Sequence, residues 1–354
     1  MKIAFTADNH LTTRARNPER YQALANILQQ CEINQVKLLV IAGDLFDQSL
    51  PNYVDFETLY KENAPPDLKT IIIPGNHDLQ LNQDSLALDG VYIYNKPTLL
   101  PLNKNWKILL LPYLPGETMG SVIAPYFEEI SGERWILIGH GDWSAGIKTP
   151  DPYEPGVYMP LTRMDLSLYK PSLVFLGHIH LPFNEDFVYY PGSPCPVNKK
   201  ETGLRRYLIL DTDQGLITPH LVESPVLYFE EKFVIIPMVN ELGYLKNLME
   251  KRINAWQLPK GWQSYVQVQI EVAGFSSNRD GVLKLIQDIF TPYNLDPDAD
   301  INLANLFHEQ DPDRSEIAQN IKEWIDKLDW NPEELEPDKQ EILEEALKVI
   351  YGVQ

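Results

Sequence analysis

Five short motifs hold most of the chemistry-bearing side chains of this 354-residue chain. In order they are Asp8-x-His10, Gly43-Asp44, Gly75-Asn76-His77-Asp78, Gly139-His140 and Gly177-His178-Ile179-His180, and they take five of the seven histidines. Together they offer imidazoles, carboxylates and an amide oxygen, but no thiolate. That donor set suits manganese, iron or zinc rather than a sulfur-loving metal. Seven ligands are too many for one tetrahedral ion but suit two ions sharing a carboxylate. Such a pair, about 3.5–4 Å apart, binds both an attacking hydroxide and a phosphoryl oxygen. A glycine before the ligand in four of the five motifs lets the backbone turn tightly and keeps bulk off the site. Taken singly, Gly-His, Gly-Asp and Asp-x-His read as turns. The ordered set of five is the strong signal. His220 and His308 lie outside it and read as surface or hydrogen-bonded histidines.

Each motif closes an apolar run. Lys2–Ala7 ends at Asp8, Leu38–Ala42 at Gly43, Thr70–Ile73 just before Gly75, Trp135–Ile138 at Gly139, and Leu173–Leu176 at Gly177. A helix follows the first: Asn17 can cap it, Pro18 suits the first turn, and Tyr21, Leu24, Leu28 and Cys31 recur at helical spacing. Strand-like runs at Val188–Tyr190 and Tyr207–Leu210 close the region. Strands alternating with helices argue an α/β layered fold. In such sheets ligands gather beyond the carboxyl ends of the strands, so distant motifs can converge.

A second unit begins near Leu227. Tyr228–Ile236 reads as a strand, Leu242 to Ile253 as a helix, Val266–Val272 as an alternating strand, and Val282 to Ile289 as another helix, a small βαβα pattern. Beyond it lie two amphipathic helices. One carries Ile317, Ile321, Trp324 and Leu328; the other starts near Pro337, carries Ile342, Leu343, Ala346, Leu347 and Ile350, and stops at Gly352. The domains are thus expected at 1–225, 226–300 and 301–354.

Composition narrows the classes. Hydrophobic residues make up 44% and charged residues 23%, which excludes whole-chain disorder and collagen-like or coiled-coil architectures. Two cysteines, Cys31 and Cys195, exclude a disulfide framework and fit a reducing cytoplasm. Apolar runs fall far short of the ~20 residues of a membrane helix, and the opening stretch is too short for a signal-peptide core. A cytoplasmic protein with no membrane association is expected. The net charge of −20 disfavours non-specific nucleic-acid binding, which needs Lys and Arg against phosphates. However, residues 301–354 carry 14 acidic against 5 basic residues, nearly half the excess, which leaves room for a cationic groove elsewhere.

The ordered motifs resemble the calcineurin-like binuclear metallophosphoesterases. Within them, Gly43-Asp44-Leu45-Phe46-Asp47, Gly-Asn-His-Asp, and Gly-His-Ile-His followed by Tyr190-Pro191-Gly192-Ser193-Pro194 resemble the SbcD-type nucleases, bacterial relatives of the MRE-type double-strand-break nucleases. The resemblance covers roughly residues 1–215; the rest fits only in layout. It implies a double-sheet sandwich flanked by helices, a small α/β capping domain and a helical C-terminal tail. It further implies two divalent ions, usually Mn2+. Asp8, His10, Asp44 and His180 would hold one; Asp44 would bridge to the second, held also by Asn76, His140 and His178. His77 would be the uncoordinated catalytic histidine, with Asp78 either its orienter or a turn cap. The implied function is DNA exonuclease, with single-strand endonuclease activity left open: some relatives carry histidine where Asp47 stands. The implied partners are DNA, a second copy in a homodimer and an SbcC-like SMC-family ATPase. A small-molecule or nucleotide phosphodiesterase, or a scaffold subunit of such an ATPase complex, are the alternatives.

Other features carry two readings each. Arg14, Arg16 and Arg20 reach a phosphate at the rim, or belong to a solvated loop and helix start. Lys199, Lys200, Arg205 and Arg206 contact DNA backbone, or form a hairpin surface. The tail helices dock on the ATPase, or fold back on this chain. Cys31 and Cys195 read as packed thiols.

Overall fold

The computed structural model describes residues 1–48, 51–144, 156–236, 240–295, 299–307, 312–328 and 339–351. The chain divides into two compact units, Met1–Val226 and Leu227–Gln354. Among the described residues no helix is long and apolar enough to cross a membrane.

The first unit opens with β1 (Lys2–Thr6), α1 (Pro18–Ile33), β2 (Leu38–Ala42), α2 (Tyr53–Asn63), β3 (Lys69–Ile73) and β4 (Val91–Ile93). It continues with β5 (Thr98–Pro101), β6 (Lys107–Leu111), α3 (Met119–Ile123), α4 (Phe127–Ile130), β7 (Trp135–His140), α5 (Arg163–Tyr169) and β8 (Leu173–Gly177). It closes with β9 (Phe183–Glu185), β10 (Val188–Tyr190), β11 (Arg206–Asp211) and β12 (Leu216–Leu221). Two six-stranded sheets result, ordered β12-β11-β1-β2-β3-β4 and β5-β6-β7-β8-β10-β9. β1 to β4 pair in parallel, as do β6, β7, β8 and β10.

Alternation along the strands fixes which residues lie between the sheets. Ile3, Phe5, Leu38, Val40 and Ala42 of the first sheet share one core with Ile108, Leu110, Ile136, Ile138 and Phe175 of the second. Their neighbours in sequence point outward. Ala4, Leu39 and Ile41 pack under α1 and α2, whereas Leu109, Trp135, Leu137 and Val174 pack under the α3–α5 side. Strands buried on both faces read as continuous apolar runs, which is why the runs were visible in sequence. The architecture is the expected double-sheet sandwich flanked by helices. α1 starts at Pro18 as expected, but Asn17 makes no capping bond: its Oδ1 accepts from the Thr12 hydroxyl at 2.8 Å.

The second unit holds β13 (Leu227–Ile235), α6 (Glu241–Ala255), β14 (Val266–Phe275), α7 (Arg279–Phe290), β15 (Ile301–Asn302), β16 (Leu306–Phe307), α8 (Pro312–Lys327) and α9 (Lys339–Tyr351). β13 and β14 are parallel with α6 between them, a βαβ crossover. Ala318, Ile325, Leu343, Leu347 and Tyr351 of the last two helices share a core with Val234, Ile236 and Ala273. Those helices therefore pack on this unit's own sheet, while Ile317, Trp324 and Leu328 stay exposed, Trp324 at 69%. His308, Pro337 and Gly352 lie outside the described residues.

Candidate metal centre

The site is built where parallel strands of both sheets end. The loop after β1 carries Asp8 and His10; that after β2 carries Asp44; that after β3 carries Asn76, His77 and Asp78. In the second sheet β7 ends on His140 itself, and β8 leads into His178 and His180. Below the site the sheets meet through Phe5 and Phe175, whose rings stack 3.7 Å apart. The β1 and β2 loops lock together by backbone bonds: Asp8 N donates to Gly43 O, His10 N to Asp44 O, and Leu11 N to Leu45 O.

All seven expected ligands join one cluster. Asp44 Oδ2 lies 3.7 Å from His10 Nε2 and 3.3 Å from His140 Nε2, so it stands between two donor groups. On one side His10 Nε2 is 3.0 Å from His180 Nε2, and Asp8, His10 and His180 are close enough to share an ion. On the other, Asn76 Oδ1 lies 2.8 Å from His140 Nε2 and 3.2 Å from His178 Nδ1. His77 sits edge-on to His10, ring centroids 4.7 Å apart, and its backbone N–H donates to Asp44 Oδ1 at 2.9 Å.

The donors fit divalent cations. Asp8 Oδ2 is buried and takes no hydrogen bond, while Asp8 Oδ1 accepts the His178 N–H at 2.8 Å. His140 Nδ1 is 2.9 Å from Ala42 O, which can only accept, so Nδ1 carries a hydrogen and Nε2 is the nitrogen turned towards Asn76 and Asp44. Nitrogen and oxygen donors converging at these distances are what a cation completes. Electrostatics agree. Burial pushes the Asp8 carboxyl up to about 6 and the His10 imidazole down to about 3, which keeps His10 a neutral donor. For Asp44 burial acts upward, but His140 and His10 outweigh it and hold the carboxyl well below its usual range. For His140 burial acts downward, yet Asp44 and Asp8 carry the imidazole up to about 10. The carboxylates that draw a proton to this ring draw a cation to the same place.

The backbone is strained where the ligands sit. Asp8, His10, Asp44 and His178 have φ of 54°, 45°, 50° and 100°. Positive φ is uncommon outside glycine and clusters at functional sites, costing on the order of 1–3 kcal/mol each. At Gly177 a Cβ would meet Ala42 O, a backbone atom, at 2.0 Å. Gly177→Ala is therefore expected to destabilise the chain by about 1–3 kcal/mol or more, read as a lowered denaturant midpoint. An unchanged midpoint would show that β2 and β8 need not approach so closely.

The remaining candidates divide. Asp78 serves the backbone: Oδ1 accepts Gly75 N at 2.7 Å and Oδ2 accepts Phe46 N at 3.2 Å, tying two ligand loops together. Burial and then the Asp44 charge push its carboxyl up to about 7. Arg14 and Arg16 lie on the exposed loop after His10, with Arg14 Nη1 3.2 Å from Glu62. Arg20 turns inward instead, donating to His10 O at 2.6 Å and so bracing that loop. Of the basic stretch, Arg205 is fully buried and donates to the carbonyls of His180, Glu201 and Thr202. Arg206 donates to Asn184 Oδ1 and to the Phe183 and Tyr190 carbonyls, so neither arginine is a free surface cation. Cys31 and Cys195 are buried thiols, pushed by burial up to about 12 and 11.

Three residues were missed in sequence. Asp142 Oδ1 lies 3.6 Å from His178 Nε2, and the Tyr158 ring packs on His178 at 4.6 Å. Glu201 Oε1 lies 2.9 Å from His180 Nδ1. Asp142, two residues past His140, carried a signal in its spacing; Glu201 and Tyr158 carried none.

Comparison with known proteins agrees with the geometry. The chain is 25% identical over 371 aligned positions to the SbcD component of the nuclease SbcCD from Staphylococcus epidermidis, covering 92% of this chain and 94% of that protein. Its counterpart in Staphylococcus saprophyticus is 24% identical over 308 positions, 77% of this chain and 78% of that one. The Escherichia coli protein of the same name is 25% identical, over 60% of this chain and 65% of its own. The calcineurin-like phosphoesterase family matches residues 1–182, a span that contains both sheets' ligand-bearing strands and every one of the seven converging donors. With its donors set at strand ends around one central aspartate, the chain belongs to the calcineurin-like phosphoesterases.

Proposed function

We propose that this protein is a metal-dependent DNA nuclease, the phosphodiester-hydrolysing subunit of an SbcCD-like complex. The observation that carries the reading is the pair of donor groups meeting at Asp44 Oδ2, 3.7 and 3.3 Å from His10 and His140. That the relatives are nucleases supports the choice of substrate. Asp8, His10, Asp44 and His180 hold one ion; Asp44, Asn76, His140 and His178 hold the other. When bound, two divalent ions, here proposed to be Mn2+, supply Lewis-acid charge and lower the pKa of a water.

The chain's own groups do the rest. Asp44 fixes His77 through its main-chain N–H, at 2.9 Å. The His77 imidazole holds a proton for the departing sugar oxygen, and imidazole titrates in the range that task needs. Asp78 positions the loop rather than the proton, since its oxygens serve Gly75 and Phe46. Arg14 and Arg16 meet phosphate at the rim, Arg14 exchanging Glu62 for the substrate. The exposed side of α8 that carries Ile317 and Trp324, with Leu328 just past its end, docks the SbcC-like ATPase, which supplies much of the grip that so acidic a chain lacks. The complex works in the cytoplasm, with the nuclease chain as a homodimer.

Manganese-dependent degradation of end-labelled duplex and single-stranded DNA tests this. The wild type cuts and chelator stops it. His77→Ser keeps its manganese but slows about 10²–10⁴-fold, the usual share of a general acid. Hydrolysis of bis(p-nitrophenyl) phosphate without cleavage of either DNA, even with the ATPase added, would replace the reading with a small-molecule phosphodiesterase.

A further inference from the structure

We propose that Glu201 is a positioning residue that holds the His180 ring in the tautomer presenting Nε2 to the cation. The inference rests on the reading of His180 as a ligand.

Glu201 lies in the loop between β10 and β11 and is 3% exposed. Its oxygens are fully engaged. Oε1 lies 2.9 Å from His180 Nδ1 and accepts from Asn198 Nδ2 at 2.6 Å; Oε2 accepts from Ser193 Oγ at 3.1 Å and Val197 N at 2.9 Å. An ionised carboxylate has no proton to give, so His180 Nδ1 carries the hydrogen. The lone pair then falls on Nε2, the nitrogen 3.0 Å from His10 Nε2. Three other donors hold the carboxylate in place, so the imidazole does not set its orientation.

The same segment grips the His180 main chain. Ser193 N donates to His180 O at 2.9 Å, and the buried Arg205 donates to it at 3.2 Å. Ring and backbone are thus fixed from one loop. His140 differs, its Nδ1 bonded to the neutral carbonyl of Ala42 at 2.9 Å, with Asp8 Oδ1 farther off at 3.9 Å. A carboxylate behind a histidine ligand fixes the tautomer and also raises the basicity of the ring; losing such a partner commonly weakens metal binding 10–100-fold. Glu201→Gln removes the charge. Its amide also cannot serve every donor, since an NH2 facing Val197 N has nothing to accept with.

Calorimetric titration of the full chain with Mn2+ alone compares wild type, Glu201→Gln and His180→Ala. The expected result is two sites in the wild type, with one and the same site weakened on the order of 10–100-fold in Glu201→Gln and lost in His180→Ala. If His180→Ala loses a site but a folded Glu201→Gln binds like wild type, Glu201 has no positioning role. If His180→Ala keeps both sites, the ligand reading itself fails. Nitrogen-15 spectra of histidine-labelled, Zn2+-loaded wild type give a check that needs no folded Glu201 variant. The His180 signal, assigned by its disappearance in His180→Ala, is expected to show the hydrogen on Nδ1; a hydrogen on Nε2 overturns the proposal.

Discussion

Asp44→Asn is expected to cut turnover by about 10³-fold or more and to take manganese out of both sites together. Asp44 Oδ2 stands within 3.7 Å of His10 Nε2 and 3.3 Å of His140 Nε2, and Oδ1 receives the His77 N–H. An asparagine keeps the shape but puts an NH2 at one of those two positions. Turned towards the ligands, it aims hydrogens where cations belong. Turned towards His77, it sets donor against donor and frees the loop that carries the proposed acid. Either way the loss exceeds that from removing one fixed donor near developing charge, itself about 10²–10³-fold. Metal analysis of the purified variant separates the causes. Two ions retained per chain, with turnover near wild type, would remove Asp44 from its bridging role.

Chelation should loosen the first unit strongly and the second hardly at all. Every ligand lies before Val226. A cation that binds only the folded form, present at about 100 times its dissociation constant, adds about 2.7 kcal/mol per site. For a unit of this size 1 kcal/mol shifts the midpoint by about 2–4 °C. Each site is then worth about 5–10 °C, read by calorimetry with and without chelator. The helices of the second unit provide the internal control, since their core of Val234, Ala273, Ile325 and Leu347 contains no ligand. A transition of the first unit that ignores chelator would mean that the cluster holds no ion.

The site was legible because of where this fold keeps its ligands. The donors end or follow strands buried on both faces, and such strands announce themselves as apolar runs. Leu38–Ala42 and Val188–Tyr190 matched to the residue. β7 did not stop before its glycine but ran on through His140, since pairing with β8 continues to Gly177. Edge strands such as Val91–Ile93 and Phe183–Glu185 went unread, because each has an exposed middle residue and so no continuous apolar run. Charge misled more than hydrophobicity. Arg20, Arg205 and Arg206 look like surface cations in sequence, but they are spent on backbone carbonyls that shape the ligand loops. Glu201 escaped because its partner is 21 residues away and its own neighbours are lysines and a threonine. A tautomer-setting contact is a property of a loop's path, and no spacing rule records it.

The left-handed backbone at Asp8, His10, Asp44 and His178 sets two selective pressures against each other. At each of these positions glycine would relax the chain, yet each relaxation would delete a donor. The sequence therefore forgoes four replacements that would ease the backbone itself, and the need to hold the ions keeps them off. A copy of this gene released from that need, with no ion left to stabilise it, would be free to relax at the heart of its site. Decay would then begin there, while the sandwich around it stayed intact.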